Sequence, residues 1–362
     1  MGRTTKWLYI LVLLPAVMGV AAWQSWQWWH WAASPVVTAA EAEGRDLPLL
    51  VEIPEGTGTW EIGSTLAASG AIQSPVAWQL WALWLDFRQD TEGSFKAGTY
   101  LVSPTEPLRD IASQIRQGST TQQSFTIPEG ASIADMAAYF EAQNYFSQQD
   151  FIAASEQIPN DRYVWLPANL TSLEGFLFPD TYQVPEGMTP AQAIALMLDR
   201  FQAVALPIYE QGQAESPYSL LEWVTLASLV EKEAAVEAER ATIASVFAER
   251  LRRDLKLEAD PTVEYALNIK QTPDQPLTLA QVQTPHPYNT YVNEGLPPTA
   301  IASPGEASLH AALNPAPTEY LYFVARYDGT HEFNTTFEAH EAAVTRIRAQ
   351  RQQQAEAAPP ET

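Results

Sequence analysis

No cysteine occurs among the 362 residues, and that absence removes disulfides, thiolate nucleophiles and cysteine-bound metals together. Basic residues are scarce as well: 20 Lys and Arg stand against 43 Asp and Glu, a formal net charge of −23. A nucleic-acid groove needs clustered cations to displace phosphate counterions, so no nucleic-acid partner is expected. Histidines number five. His340-Glu-Ala-Ala-Val344 opens like a zinc-protease helix but has valine where the second ligand belongs, so neither a metal nor another cofactor is expected. Lone histidines such as His286 or His310 read as surface or core residues. Gly-x-Ser-x-Gly, Ser-x-x-Lys and Walker sequences are missing too, which leaves serine acyl transfer and nucleotide hydrolysis without their usual residues.

What is present is apolar: 46% hydrophobic and 11% aromatic residues can fill the cores of two or three domains. The longest apolar run comes first. Trp7 to Trp23 holds nothing less apolar than Tyr9, Pro15 and Gly19, and Trp26, Trp28, Trp29 and Trp31 follow. This predicts a single transmembrane helix with an aromatic belt at the interface. Arg3 and Lys6 precede it and no acidic residue occurs before Glu41, so the N-terminus is expected in the cytoplasm and the rest outside. A cleavable signal peptide, with Gly19-Val-Ala21 as its cleavage site, is the rival reading. Residues 1–31 are thus the expected anchor and 32–47 an acidic, small-residue linker.

Val51-Glu-Ile-Pro-Glu-Gly-Thr57 recurs as Phe125-Thr-Ile-Pro-Glu-Gly-Ala131. Each copy reads as strand, turn and then helix. The first opens a small α+β module, residues 48–120, either a spacer or a LysM-like glycan-binding subdomain. A larger α+β domain, residues 121–348, carries the remaining patterned sequence. Its expected parts are helices at 219–235 and 238–253, a helix beginning at Asp260-Pro-Thr262, a hairpin from Tyr320–Val324 and His331–Thr335, and a last helix 337–348. A polar tail, 349–362, is expected to be disordered. Between these lies an irregular stretch dense in Pro, Asn and Tyr, including His286-Pro-Tyr-Asn-Thr-Tyr291, of the kind that lines sites.

The chemistry points to carboxylates. In Leu226-Ala-Ser-Leu-Val-Glu-Lys-Glu-Ala234 an apolar helical run ends on Glu231 and Glu233. Desolvation raises a carboxyl pKa, and the negative end of a helix adds to it, so either glutamate suits a general acid. A solvated helix terminus is the plain alternative, and periodicity does not choose between the two residues. Ser172-Leu-Glu-Gly-Phe-Leu-Phe-Pro-Asp-Thr-Tyr182 sets Glu174 and Asp180 among aromatics, a mixture suited to sugar rings and equally to a capped apolar plug.

The ordered series Ile127-Pro-Glu-Gly130, Glu174-Gly175, Phe178-Pro-Asp-Thr-Tyr182, Ala227-Ser-Leu-Val-Glu-Lys-Glu233, Glu239-Arg240, Asp260-Pro-Thr262, Tyr288-Asn-Thr-Tyr291, Gly295-Leu-Pro-Pro298 and Phe333-Asn-Thr335 resembles the YceG-like endolytic murein transglycosylases. The resemblance runs from the anchor to about Arg348 and implies an α+β fold with a LysM-like subdomain before the catalytic domain. It implies an inner-membrane lytic transglycosylase acting on peptidoglycan strands, with Glu233 as the catalytic residue, Glu231 as the alternative, and peptidoglycan synthases as partners. Glu174, Asp180, Asp260, Tyr288, Asn289, Thr290, Tyr291 and Asn334 become candidate substrate-binding residues. Glu249, Glu258 and Ala234 depart from residues frequent in the family. A glycan-binding scaffold without catalysis and a water-using muramidase are the other readings. The latter would need a second carboxylate, for which Glu174, Asp180 and Asp260 are the candidates.

Overall fold

A computed structural model describes residues 14–38, 49–88, 95–118, 123–168, 170–184, 187–272 and 275–357. They form two compact units of mixed α+β structure: Met1–Phe125 with Gln183–Met188, and Thr126–Tyr182 with Thr189–Thr362. Residues 1–13 of the expected anchor and 39–48 of the expected linker lie outside the described residues.

In the first unit, helix α1 (Leu14–Ala32) carries no polar side chain from Leu14 to Trp23, and Gln24, Ser25, Gln27 and His30 fall in its second half. Val17, Met18, Val20 and Trp23 are each more than half exposed. Its end is different. Ala32 is fully buried and Trp29 packs on the core of the unit. Leu108 N–H donates to Ala33 O at 3.2 Å, and Val36 and Val37 N–H donate to Pro104 O at 2.9 and 3.1 Å.

The module that follows runs β1 (Leu49–Ile53), α2 (Thr59–Ala68), α3 (Pro75–Phe87), β2 (Gly98–Val102) and α4 (Leu108–Gln117). β1 and β2 are antiparallel with Val51 opposite Tyr100. The period-2 alternation of strands sends Val51, Ile53, Tyr100 and Val102 inward, against Leu66, Trp78 and Ile111 of the helices.

The second unit contains α5 (Ile133–Ala142), α6 (Gln148–Ser155), α7 (Pro190–Gly212), α8 (Leu220–Glu233), α9 (Arg240–Arg252), α10 (Asp260–Leu267), α11 (Leu279–Val282) and α12 (Glu306–Leu313). An antiparallel hairpin, β3 (Tyr322–Ala325) and β4 (His331–Asn334), precedes the last helix, α13 (Phe337–Ala357). α13 thus extends past Arg348, through a Gln/Ala/Arg/Glu run of good helix formers. α7 is long and apolar enough to cross a membrane, but Met197, Leu198 and Phe201 are buried and make it a core helix.

α8 runs through the middle of this unit. Ser219 and Glu222 form a capping box at its start, and every residue from Trp223 to Val230 is buried. It packs against α9, α10 and α12, and the Trp223 indole N–H donates to Leu309 O at 3.0 Å. A helix covered on all sides has no apolar stripe, which is why its pattern did not separate Glu231 from Glu233.

Candidate active site

Ala234 leaves the helix with φ −81° and ψ 109°, so Glu233 is the last residue of α8. Residues two apart on a helix point to nearly opposite sides. The two glutamates accordingly meet different surroundings.

Glu231 is held. Its Oε2 accepts from Gly305 N–H at 3.0 Å, at the start of α12, and its Oε1 lies 3.5 Å from Arg240 Nη2. Arg240 also donates to Ser308 Oγ at 3.0 Å. The second Pro-Glu-Gly turn packs on the same corner. Gly130, at φ +75°, donates N–H to Ser303 O at 2.8 Å and accepts from Lys232 Nζ at 3.2 Å. Glu231 therefore ties the end of α8 to α9 and α12.

Glu233 accepts no hydrogen bond among the described residues. It lines a cleft of about 1290 Å³ together with Asp260, Glu264, Tyr291, Glu258, Arg250 and His331. Burial, then the neighbouring Asp260 and Glu264 carboxylates, push its carboxyl up to about 8. The negative end of α8 acts in the same direction. At neutral pH this group carries a proton it can give. The neighbours are fixed: Asp260 Oδ1 accepts from Tyr291 Oη at 2.6 Å, Asp260 Oδ2 from Gln271 Nε2 at 3.0 Å, and Glu264 Oε1 from Gln271 N–H at 2.7 Å.

A second lobe of about 630 Å³ adjoins the first through Lys232, Pro261 and Glu264, which line both. Glu174 lines this lobe but is 3% exposed and fully engaged. Its carboxylate accepts from Ile133 N–H at 3.0 and 3.2 Å, capping α5, and from Tyr265 Oη at 3.0 Å. Burial pushes it up to about 7 against those bonds.

The remaining candidates separate by position. Asn289 is buried, gives its amide hydrogens to Val282 O and Thr284 O at 3.0 and 2.8 Å, and accepts from Tyr291 N–H. Thr290 is also buried, with its Oγ1 2.9 Å from Thr262 Oγ1 and accepting from Ala259 N–H. These two residues fold the irregular loop onto α10 and so aim Tyr291 at Asp260. Tyr288 bonds Thr299 Oγ1 at 2.7 Å and packs its ring, tilted by 46°, against that of Tyr265 at 4.9 Å. Asp180 pairs with Arg200 at 2.6 Å and lines neither lobe, and Asn334 lies on β4 opposite Tyr322, also lining neither. Of the candidates, the cleft brings together Glu233, Asp260 and Tyr291.

Glu258 and Glu249, two of the three expected departures from the family pattern, both find cations: Glu258 pairs with Arg250, and Glu249 with Arg252 and Arg253 at 2.6 and 3.1 Å. Sequence reasoning passed over Glu264, whose signal was its i+4 spacing from Asp260 on one helix face. It also passed over His331, whose backbone N–H and ring bond Glu239 from 92 positions away, a contact with no local signal.

Because Glu231 is structural in this arrangement, Glu231→Gln is expected to leave glycan cleavage within several-fold while lowering Tm by roughly 2–6 °C. Thermal unfolding run beside single-turnover cleavage checks this. A variant that is inactive at unchanged Tm would move the chemistry to Glu231.

The sequence pattern of the YceG-like family matches residues 51–346. An endolytic murein transglycosylase of Bacillus subtilis is 31% identical over 306 residues, covering 81% of this chain and 83% of that protein. One of Streptococcus pneumoniae is 29% identical over 305 residues, covering 76% of this chain and 54% of that longer protein, so the chain spans about half its length. The crystal structure of a yceG-like protein from Listeria monocytogenes superposes with a TM-score of 0.56 at 29% identity, covering 82% of this chain and 98% of that one. With the family pattern spanning both units and a relative above 30% identity along most of both chains, this protein belongs to the YceG-like family.

Proposed function

We propose that this protein is a membrane-anchored endolytic lytic transglycosylase that cleaves peptidoglycan between N-acetylmuramic acid and N-acetylglucosamine. The observation that carries the reading is Glu233: a carboxyl in a large cleft, free of hydrogen bonds among the described residues and raised to about 8, on a chain whose relatives are named endolytic murein transglycosylases. The protonated carboxyl gives its proton to the glycosidic oxygen as the bond to muramic acid C1 breaks, the bonding pair leaving with that oxygen. The resulting carboxylate takes the proton of the C6 hydroxyl as O6 bonds to C1. One group serves as acid and then base, no water is consumed, and a 1,6-anhydro end results. Asp260, with Tyr291 bonded to it, and Glu264 present negative charge toward the ring as its positive charge develops.

The apolar first half of α1, exposed at Val17, Met18, Val20 and Trp23, supports the anchor, with the chain after Trp31 on the wall side. The order β1-α2-α3-β2 supports a LysM-like reading of residues 48–120, ahead of a catalytic domain over 121–348.

Mass spectrometry of glycan strands digested by the full chain tests the reaction. Anhydro ends are expected. Reducing ends would mean a muramidase, the reading that the nearness of Asp260 and Glu264 to Glu233 favours next, and no release would mean a glycan binder. The rate should also fall as pH rises through about 8, where Glu233 loses its proton. A limb near about pH 4.3, that of a solvated glutamate, would remove Glu233 from the role of acid.

A further inference from the structure

We propose that the outward face of α3, continuous with the Trp-rich end of α1, lies on a lipid bilayer, so that the first unit is seated in the membrane interface and not suspended above it. The inference rests on the reading of α1 as a membrane anchor.

α3 turns Ala77, Trp78, Ala82 and Leu85 to the core of the unit. Its opposite side exposes Val76 at 45%, Leu80 at 45%, Leu83 at 54%, Trp84 at 43% and Phe87 at 87%. Those positions follow one another at i, i+4, i+7, i+8 and i+11, one continuous stripe of the helix. Soluble surfaces interleave charge with such residues, yet Asp86 is the one charged residue in the thirteen of α3. A large exposed apolar stripe marks an interaction surface.

Three features identify lipid as the occupant. The stripe joins the belt of α1 through rings: Trp29 stacks on Trp81 at 6.3 Å, and Trp81 stacks on Trp84 at 4.9 Å. The depth also fits. Trp29 lies six residues beyond Trp23, about 9 Å along a helix, which places it and the tryptophans stacked on it in the headgroup layer. Tryptophan favours that layer, and Arg88, its guanidinium 4.6 Å over the Trp84 ring, is a cation suited to its polar side. Third, the join is stiff. Buried Ala32 and the bonds from Leu108, Val36 and Val37 leave no hinge between the end of α1 and the module, so the module follows the angle of the helix. A sugar chain is a poorer occupant, because Val76, Leu80, Leu83 and Phe87 offer nothing to hydroxyl groups.

The absence of cysteine makes the test direct, since each introduced thiol is unique. Full-length chains with Leu83→Cys, Val20→Cys or Ser113→Cys, all exposed positions, would carry an environment-sensitive fluorophore in phosphatidylglycerol/phosphatidylethanolamine vesicles. Nitroxide lipids labelled near the headgroup are expected to quench the probe at 83 several-fold more than the probe at 113, with aqueous iodide showing the reverse order. The probe at 20 should respond to nitroxides deep in the acyl chains. Iodide quenching at 83 equal to that at 113, with position 20 protected, would overturn the seating while leaving the anchor intact. Iodide quenching at position 20 would overturn the anchor reading, and the seating with it. Protection of position 83 by soluble chitooligosaccharide but not by vesicles would make the stripe a glycan surface instead.

Discussion

Glu233→Gln is expected to lower turnover by roughly 100-fold or more, because the amide keeps the shape of the acid but has no proton to exchange. Folding and glycan binding should persist, since no hydrogen bond to Glu233 is lost among the described residues. Full activity would remove Glu233 from the mechanism. The same substitution should stabilise the protein at high pH. The folded-state carboxyl is raised, so the native protein holds this proton more tightly than the unfolded chain does, and its stability declines as pH climbs from about 4.5 to about 8. The variant has no such titration. Its Tm should exceed that of the wild type by on the order of 5 °C above pH 8 and match it below about pH 4.5. Equal Tm values at pH 9 would show that the ionised carboxylate is well solvated.

Gly175→Ala is expected to destabilise the second unit by about 3–5 kcal/mol, combining left-handed backbone strain with overpacking. Gly175 sits at φ +86°, where an L side chain is strained whatever the space around it. There is no space: a Cβ would collide with that of Ala300 and stand 2.8 Å from Val224 Cγ1 on α8. The glycine follows Glu174, which holds the start of α5, so a displaced turn disturbs the cap and α8 together. Tm and hydrogen exchange of α8 amides would report it. A variant as stable as the wild type would show that Ala300 and Val224 give way easily.

The mixed α+β character and the strand-turn-helix nature of both Pro-Glu-Gly segments, the second led by a strand over Gln123–Thr126, could be read in the sequence because their causes are local. Gly56 and Gly130 both take left-handed φ, and a helix follows each at the spacing the pattern sets. The end of α8 was legible for the same reason, as an apolar run stopping on carboxylates. What escaped was set by distance along the chain. Glu174 resembles a sugar ligand until Ile133, 41 residues earlier, is found donating to it. Asn289 and Thr290 carry polar groups suited to substrate, yet their partners at 282, 284, 259 and 262 consume them. The direction of Glu233 depended on α10 standing beside α8, and α8, buried on all sides, gave no periodic hint of it.

Burial, the largest cause of the raised Glu233 carboxyl, resists charge of either sign, but the electrostatic part of the shift discriminates, opposing an anion and favouring a cation. The carbonyl end of α8, with Asp260 and Glu264 beside it, raises the proton affinity of Glu233 for the same electrostatic reason that it would hold a cation in the cleft. Sugar analogues with a protonated ring nitrogen should therefore bind more tightly than their neutral counterparts. The preference should widen as pH rises toward about 8 and Glu233 itself becomes an anion, for as long as the ligand keeps its charge. The field of Asp260, Glu264 and the end of α8 is thus a standing template for a cationic ligand, present before any ligand arrives.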